Sequence, residues 1–133
     1  MDLKERLFED KLKGYCCSES IMNLCLEDMG WSPEDRRYLV KSMGAFCGGL
    51  REGLVCGTLS AAMAAIFIAE EDRFKVKDEH GPEMMEWFRE RFGSWNCDDL
   101  LEGDQTRKQT LCPIIVEDTY IKLRDMLEDI GAI

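Results

Sequence analysis

Apolar residues recur along this chain at helical spacing, and no stretch alternates convincingly as a strand would. Between Asp2 and Lys13, Leu3, Leu7, Phe8 and Leu12 fall on one side of a helix that Gly14 can end. Tyr15-Cys16-Cys17-Ser18-Glu19-Ser20 opens a second helix, which runs to about Met29 and stops at Gly30. Ile21 and Leu24 form its inner face, and Cys17, four residues before Ile21, points the same way. Ser32-Pro33-Glu34-Asp35 starts a third helix with a capping serine, a first-turn proline and acidic residues at the positive end. Its core face is Leu39, Val40, Met43 and Phe46, and Gly48-Gly49 stop it.

The run from Leu54 to Ala69 is different, because Ala62 to Ala69 is apolar all round. A helix without a polar face belongs inside a bundle or in a membrane. This run contains Gly, Thr and Ser, and it is shorter than the roughly 20 residues a bilayer span needs. It predicts the buried central helix of a soluble protein, extending to about Asp72, with Cys56 in its first turn. Glu70 to His80 reads as a charged linker. Gly81-Pro82 starts a helix with Met85, Phe88, Phe92 and Trp95 as its stripe. Asn96 to Leu101 is a short helical turn with Cys97 on the Leu100/Leu101 side, and Glu102 to Thr110 is polar and turn-rich. Cys112-Pro113 opens the last helix, whose stripe is Val116, Tyr120, Leu123, Leu127 and Ile130; Cys112 shares that face. The pattern predicts one all-α domain over residues 1–133, a compact bundle of five to six helices around the buried central one.

With 133 residues the chain can bury a real core, and 45% hydrophobic against 33% charged residues is a globular balance. A net charge of -10 argues against nucleic acid or an anionic membrane as partner. Met1-Asp2-Leu3-Lys4-Glu5-Arg6 opens like an amphipathic helix and not like an export signal, so the cytoplasm is the expected location. Seven cysteines are many for such a chain, and an odd number does not close into disulfides. In a reducing compartment that abundance points to metal or redox chemistry.

Cys17, Cys56, Cys97 and Cys112 each fall near a predicted helix start and on its inward side. Free N–H groups and the dipole at a helix start favour a thiolate, which predicts lowered pKa values and raised reactivity. Helix starts that face one core can also aim their sulfurs at a common space. The competing reading is that free cysteines are small core residues. Cys25, in a helix interior beside Leu24, fits that reading best. Cys47 either joins the core or approaches Cys56 across the glycine loop; Cys16 faces outward and is at most a resolving thiol.

Cys17-Ser18-Glu19-Ser20, Gly48-Gly49, Cys56-Gly57, Cys97 and Cys112, taken in order, resemble the family named for a C_GCAxxG_C_C cysteine pattern, over residues from about 10 to 125. Thr58 stands where the pattern has alanine, Ala61 where it has its second glycine, and Cys47 where glycine is usual. The resemblance implies a small helical protein with a redox or cofactor role. Some members carry selenocysteine, and some are fused to or resemble electron-transfer proteins whose cysteines suit an iron–sulfur cluster.

Three chemistries follow. In thiol–disulfide exchange, as in a thiol-dependent oxidoreductase, Cys56 or Cys17 attacks and a second cysteine resolves; no C-x-x-C is present, so the fold must make the pair. An iron–sulfur cluster would use Cys17, Cys56, Cys97 and Cys112, with glycines such as Gly57 letting backbone approach. Zinc on the same four thiolates ranks lower, since zinc ligands usually come in close pairs. The expected partner is a redox partner. A different class is a helical interaction module with packing cysteines and a homodimer interface at Met84 and Met85. His80, the sole histidine, reads as a solvated loop residue, and Glu19 as a helix-start acid or a general base. Glu70-Glu71-Asp72 and Asp98-Asp99 read as solvated faces, and Trp31, Trp87 and Trp95 as core edges. No phosphate loop, dinucleotide fingerprint or serine nucleophile elbow is present.

Overall fold

The structure is a computed structural model that describes residues 2–133. It is helical throughout, with one isolated bridge and no strand among the described residues. The helices are α1 (Leu3–Leu12), α2 (Cys17–Asp28), α3 (Pro33–Ser42), α4 (Gly57–Ala69), α5 (Arg73–Lys75), α6 (Gly81–Phe92), α7 (Cys97–Leu101) and α8 (Lys108–Ile130). The count exceeds the expected five or six because α5 and α7 are single turns, of three and five residues.

Local chemistry fixes most boundaries. Asp2 accepts from Glu5 N–H (2.8 Å) at the head of α1, and Ser32 accepts from Asp35 N–H (3.1 Å) at the head of α3. Cys16 caps α2, where Glu19 accepts the Cys16 N–H at 3.2 Å. Gly93 and Gly131 end α6 and α8 with positive φ, as helix-terminating glycines do.

α2 and α4 lie against each other, and both pack on α8. Ile21, Leu24, Leu26, Leu59 and Ile66 are fully sequestered or nearly so. Each such side chain contributes about 1.5–3 kcal/mol relative to exposure. Of the stripe its sequence predicts, α8 buries Val116, Tyr120, Leu123 and Leu127, while Ile130 is half-buried. In α6, Met84 and Phe88 are buried, and Met85 and Phe92 of the same helix, with Trp95 beyond its end, pack partly against the core.

Several expectations change. α4 ends at Ala69 and not near Asp72, and it buries one face only. Met63 and Phe67, on its outer side, border an open apolar groove of about 860 Å³ with Phe74 and Met85. Leu54 and Val55 precede the helix in extended chain and are exposed. Phe8 and Leu12 of α1 are exposed, while Leu3 and Leu7 pack partly on the core. The charged stretch after Ala69 is helical from Arg73 through His80, because Val76 is buried and Asp72 caps the turn through Phe74 N–H (3.0 Å). His80 is not a free loop residue: its Nε2 lies 3.2 Å from Glu70 Oε2. Met84 is completely buried, which removes it from any dimer interface.

A cavity lined by cysteines

Three pieces of backbone bring the sulfurs together. An antiparallel bridge pairs Val55 with Asn96: Cys56 N–H donates to Trp95 carbonyl (2.8 Å) and Cys97 N–H to Leu54 carbonyl (2.7 Å). Residues one step either side of such a bridge point to the same face, so Cys56 and Cys97 share one face, set diagonally across it. The first residue of α2 supplies Cys17, and the second turn of α8 supplies Cys112. All four, with Cys16 and Cys47, line one cavity of about 220 Å³ whose other walls include Leu100, Leu101, Ile115, Thr58 and Lys108.

Between Cys47 and the bridge the chain makes an unusual turn. Gly48, Gly49, Leu50 and Arg51 all have positive φ, near 60°, so four successive residues take the left-handed conformation. Leu50 and Arg51 adopt it at a cost of about 1–2 kcal/mol each. Gly49 has no alternative, since a Cβ there would overlap the Leu54 backbone. A Cβ on Gly53 would overlap the Asp98 carboxylate. The turn returns the chain from Cys47 to Cys56 within a few residues.

Gly57, expected to help hold a cofactor, does not line the cavity. Its missing side chain serves packing instead: a Cβ there would sit 2.5 Å from the Phe46 carbonyl oxygen and 3.3 Å from Ser18 Cβ. Cys112 does not open the last helix either. α8 begins a turn earlier, at Lys108, and Pro113 lies inside it.

Cys56, Cys97 and Cys112 are not the low-pKa thiols that helix starts predict. Burial pushes the Cys56 thiol up from the ordinary 9.0 to about 12, with a further rise from neighbouring Cys17; the N–H groups of Leu59 and Thr58 oppose this and lose. Burial, then Cys17 and Cys97, raises Cys112 to about 11. Cys97 is raised by burial and by Cys17, against the pull of Lys108. Desolvation outweighs the helix dipole here, and each thiol also feels the charge of its neighbours. Cys25 is separate, fully buried in the core, as its helix-interior position predicts.

Cys16 and Cys47 are the pair the fold joins. They form a disulfide with Cα atoms 6.2 Å apart across 31 residues of sequence. Cys16 is half-buried and not outward-facing, and Cys47 reaches Cys16 and not Cys56. Ser18 Oγ lies 3.1 Å from Cys16 Sγ and 3.5 Å from Cys47 Sγ, and it donates to the Met43 carbonyl at 2.6 Å. One signal in the sequence was available: Cys47 interrupts a glycine-rich stretch where the resembling pattern has glycine. On its other side the disulfide borders a polar basin of about 720 Å³ with Glu19, Arg51, Glu52, Asp98, Gln105 and Lys108 in its wall. The pair and Cys97 thus border both the cavity and the basin, while Cys17, Cys56 and Cys112 line the cavity alone.

The four inner sulfurs are near enough to repel one another as thiolates, but they do not form a single-ion cage. Among the described residues, the set whose ligand atoms all lie within 4.8 Å of one another is Cys16, Glu19 and Cys47. The sulfurs of a zinc tetrahedron sit roughly 3.8 Å apart, given Zn–S of about 2.3 Å, so zinc on the inner four would need them to contract.

Helices throughout, with six of seven cysteines gathered at one cavity, define a small all-α protein organised around sulfur. A sequence model of the family described as "Putative redox-active protein (C_GCAxxG_C_C)" matches residues 15–126, and the chain belongs to that family. No curated protein and no solved structure matches it. No helix among the described residues is long and apolar enough to cross a membrane.

Proposed function

We propose that this protein carries out thiol–disulfide redox chemistry, with Cys16–Cys47 as the exchanging pair and Cys17, Cys56, Cys97 and Cys112 as the thiols behind it. One observation carries this reading: a disulfide and four free thiols line the same cavity. An external dithiol enters from the polar basin, and its thiolate attacks one sulfur of the pair. The S–S bond breaks, and the second sulfur leaves as thiolate beside Lys108. The second external thiol then closes the external disulfide, leaving Cys16 and Cys47 as two thiols. Two electrons and two protons pass inward, and the reverse run passes them out.

The test is equilibration of the protein with dithiothreitol redox buffers, followed by alkylation and peptide mass mapping. The reading requires Cys16 and Cys47 to convert together, reversibly, with one midpoint. Permanently free thiols at both positions, or a bond that no buffer opens in folded protein, would overturn it.

A second reading, an iron–sulfur cluster held by Cys17, Cys56, Cys97 and Cys112, is favoured by the raised pKa values of Cys56, Cys97 and Cys112 beside one another and beside Cys17. Thiols that cannot ionise together without a cation are suited to receiving one, and metal binding would deprotonate them. When bound, such a cluster supplies one-electron chemistry. Anaerobically prepared protein would then be brown, contain iron and sulfide, and lose both when any of the four is changed to serine. Colourless, iron-free protein from iron-replete cells rejects it.

A further inference from the structure

We propose that reduction of the Cys16–Cys47 bond uncovers a site for a soft divalent cation, zinc above all, formed by the two sulfurs and the Glu19 carboxylate. The inference rests on that pair being a reversible dithiol, as proposed above, and it concerns a different set of atoms from the four inner thiols.

The three ligand atoms already lie within 4.8 Å of one another. The Cα atoms of the two cysteines are 6.2 Å apart. From there, side-chain rotation alone opens the sulfurs to the roughly 3.8 Å a zinc tetrahedron needs. Glu19 is held in place: one carboxylate oxygen accepts the Cys16 N–H at 3.2 Å, which leaves the other oxygen to bind. Its room comes from Gly44, where a Cβ would meet the carboxyl carbon at 3.4 Å. All three residues are half-buried and face the polar basin, which offers an entry path and an open fourth position for water or a ligand. Two thiolates and a carboxylate are a donor set that zinc accepts.

The exchange balances. A dithiol supplies two electrons and two protons and becomes a disulfide, while the Cys16–Cys47 bond becomes two thiols. Zinc then replaces the two thiol protons, which pass to solvent. Oxidation of the pair by a disulfide reverses both steps and releases the ion. Metal and disulfide exclude each other at this position.

The experiment uses the full chain reduced with a phosphine, which does not bind zinc tightly, with zinc as the probe. Reduced protein is expected to take up one equivalent more than the Cys47→Ser variant. Glu19→Gln, which keeps the capping contact, is expected to weaken that last equivalent by at least about tenfold, the scale lost even with an outer partner of a metal ligand. In unaltered reduced protein, zinc is expected to slow reformation of the Cys16–Cys47 bond by oxidised dithiothreitol, followed by peptide mapping. Equal stoichiometry with and without Cys47, unchanged affinity in Glu19→Gln, or reoxidation indifferent to zinc each overturns the site. A pair that the phosphine cannot reduce in folded protein would instead sink the redox reading beneath it.

Discussion

A single proton on Ser18 bears on the redox balance of the pair. Its hydroxyl gives that proton to the Met43 carbonyl at 2.6 Å, so towards Cys16 Sγ, 3.1 Å away, it offers only lone pairs. A reduced Cys16 can donate its S–H to that oxygen, and a disulfide sulfur has nothing to donate. The contact therefore favours the dithiol. Ser18→Ala keeps the Cβ that packs near Gly57 and removes this bias. The midpoint potential of the pair should fall by roughly 10–20 mV, from about 0.5–1 kcal/mol for a weak hydrogen bond. Titration against dithiothreitol buffers reads it, and a rise in potential would contradict the assignment. The inner thiols make a second prediction at this scale. Cys56 and Cys112, raised to about 12 and about 11, are acids whose folded pKa lies above the unfolded value. The stability they contribute is present below pH ~8.5, the ordinary thiol range, and is lost as pH rises through their folded values. Urea midpoints of reduced, metal-free protein should hold steady to about pH 8 and fall between about 9 and 11. Changing both residues to alanine should flatten that decline, measured against each variant's own neutral value.

At the scale of elements, what was legible is what depends on neighbours along the chain. The caps at Ser32 and Glu19, the stripe of α8 and the buried Cys25 all follow from spacing. Features set by distant partners were not legible. Proline favours the first turn of a helix, so Cys112-Pro113 looked like a start; yet a 3-10 turn at Gln105–Arg107 leads directly into Lys108 and adds a turn in front. That added turn brings Lys108 to the cavity, with its Nζ 3.9 Å from where a Gly48 Cβ would be. The convergence of Cys17, Cys56, Cys97 and Cys112 was readable in outline; the joining of Cys16 to Cys47, 31 residues apart, was not, because it depends on the left-handed turn at Gly48–Arg51. The lowered pKa values expected at helix starts also failed, since how deeply a thiol is buried is not written in its local sequence. Gly57 shows how tightly the head of α4 is set. Gly57→Ala puts a methyl 2.5 Å from the Phe46 carbonyl oxygen, a backbone atom that cannot rotate away. Overpacking of this kind costs about 1–3 kcal/mol, which chemical denaturation of the variant should show. A neutral result would contradict the close contact between the head of α4 and the Phe46 carbonyl.

Across the whole molecule, α1 and α8 have to be held in register with α2, and one polar knot ties them. Asp28, at the end of α2, accepts from Arg6 of α1 (2.9 Å), from Arg124 of α8 (3.0 Å) and from the Tyr120 hydroxyl. Arg6 also donates to the Tyr120 hydroxyl at 3.0 Å. Asp28 and Arg6 are largely shielded, with side chains 11% and 17% exposed, so water cannot easily replace what a mutation removes. Replacing an entire buried ion network by apolar groups is often neutral, but removing Asp28 alone leaves Arg6 and Arg124 with only the longer, more exposed carboxylate contacts to Glu27 and Glu128, each at 3.5 Å. Loss of one partner from a buried ion pair costs about 3–5 kcal/mol, and Arg124, more exposed, places this knot at the lower end. Asp28→Ala should therefore lose about 3 kcal/mol of stability, while Asp28→Asn should lose less, because its amide oxygen still accepts from one arginine. The cysteine cavity lies at the opposite end of α2, at Cys16 and Cys17, so the midpoint potential of the Cys16–Cys47 pair should stay where it is in both variants as long as they are folded. Denaturant unfolding and redox titration of the same samples separate the two effects. A potential that shifts along with stability would mean that α2 transmits strain along its length, and that the sulfur chemistry is not confined to the end of the bundle where the thiols meet.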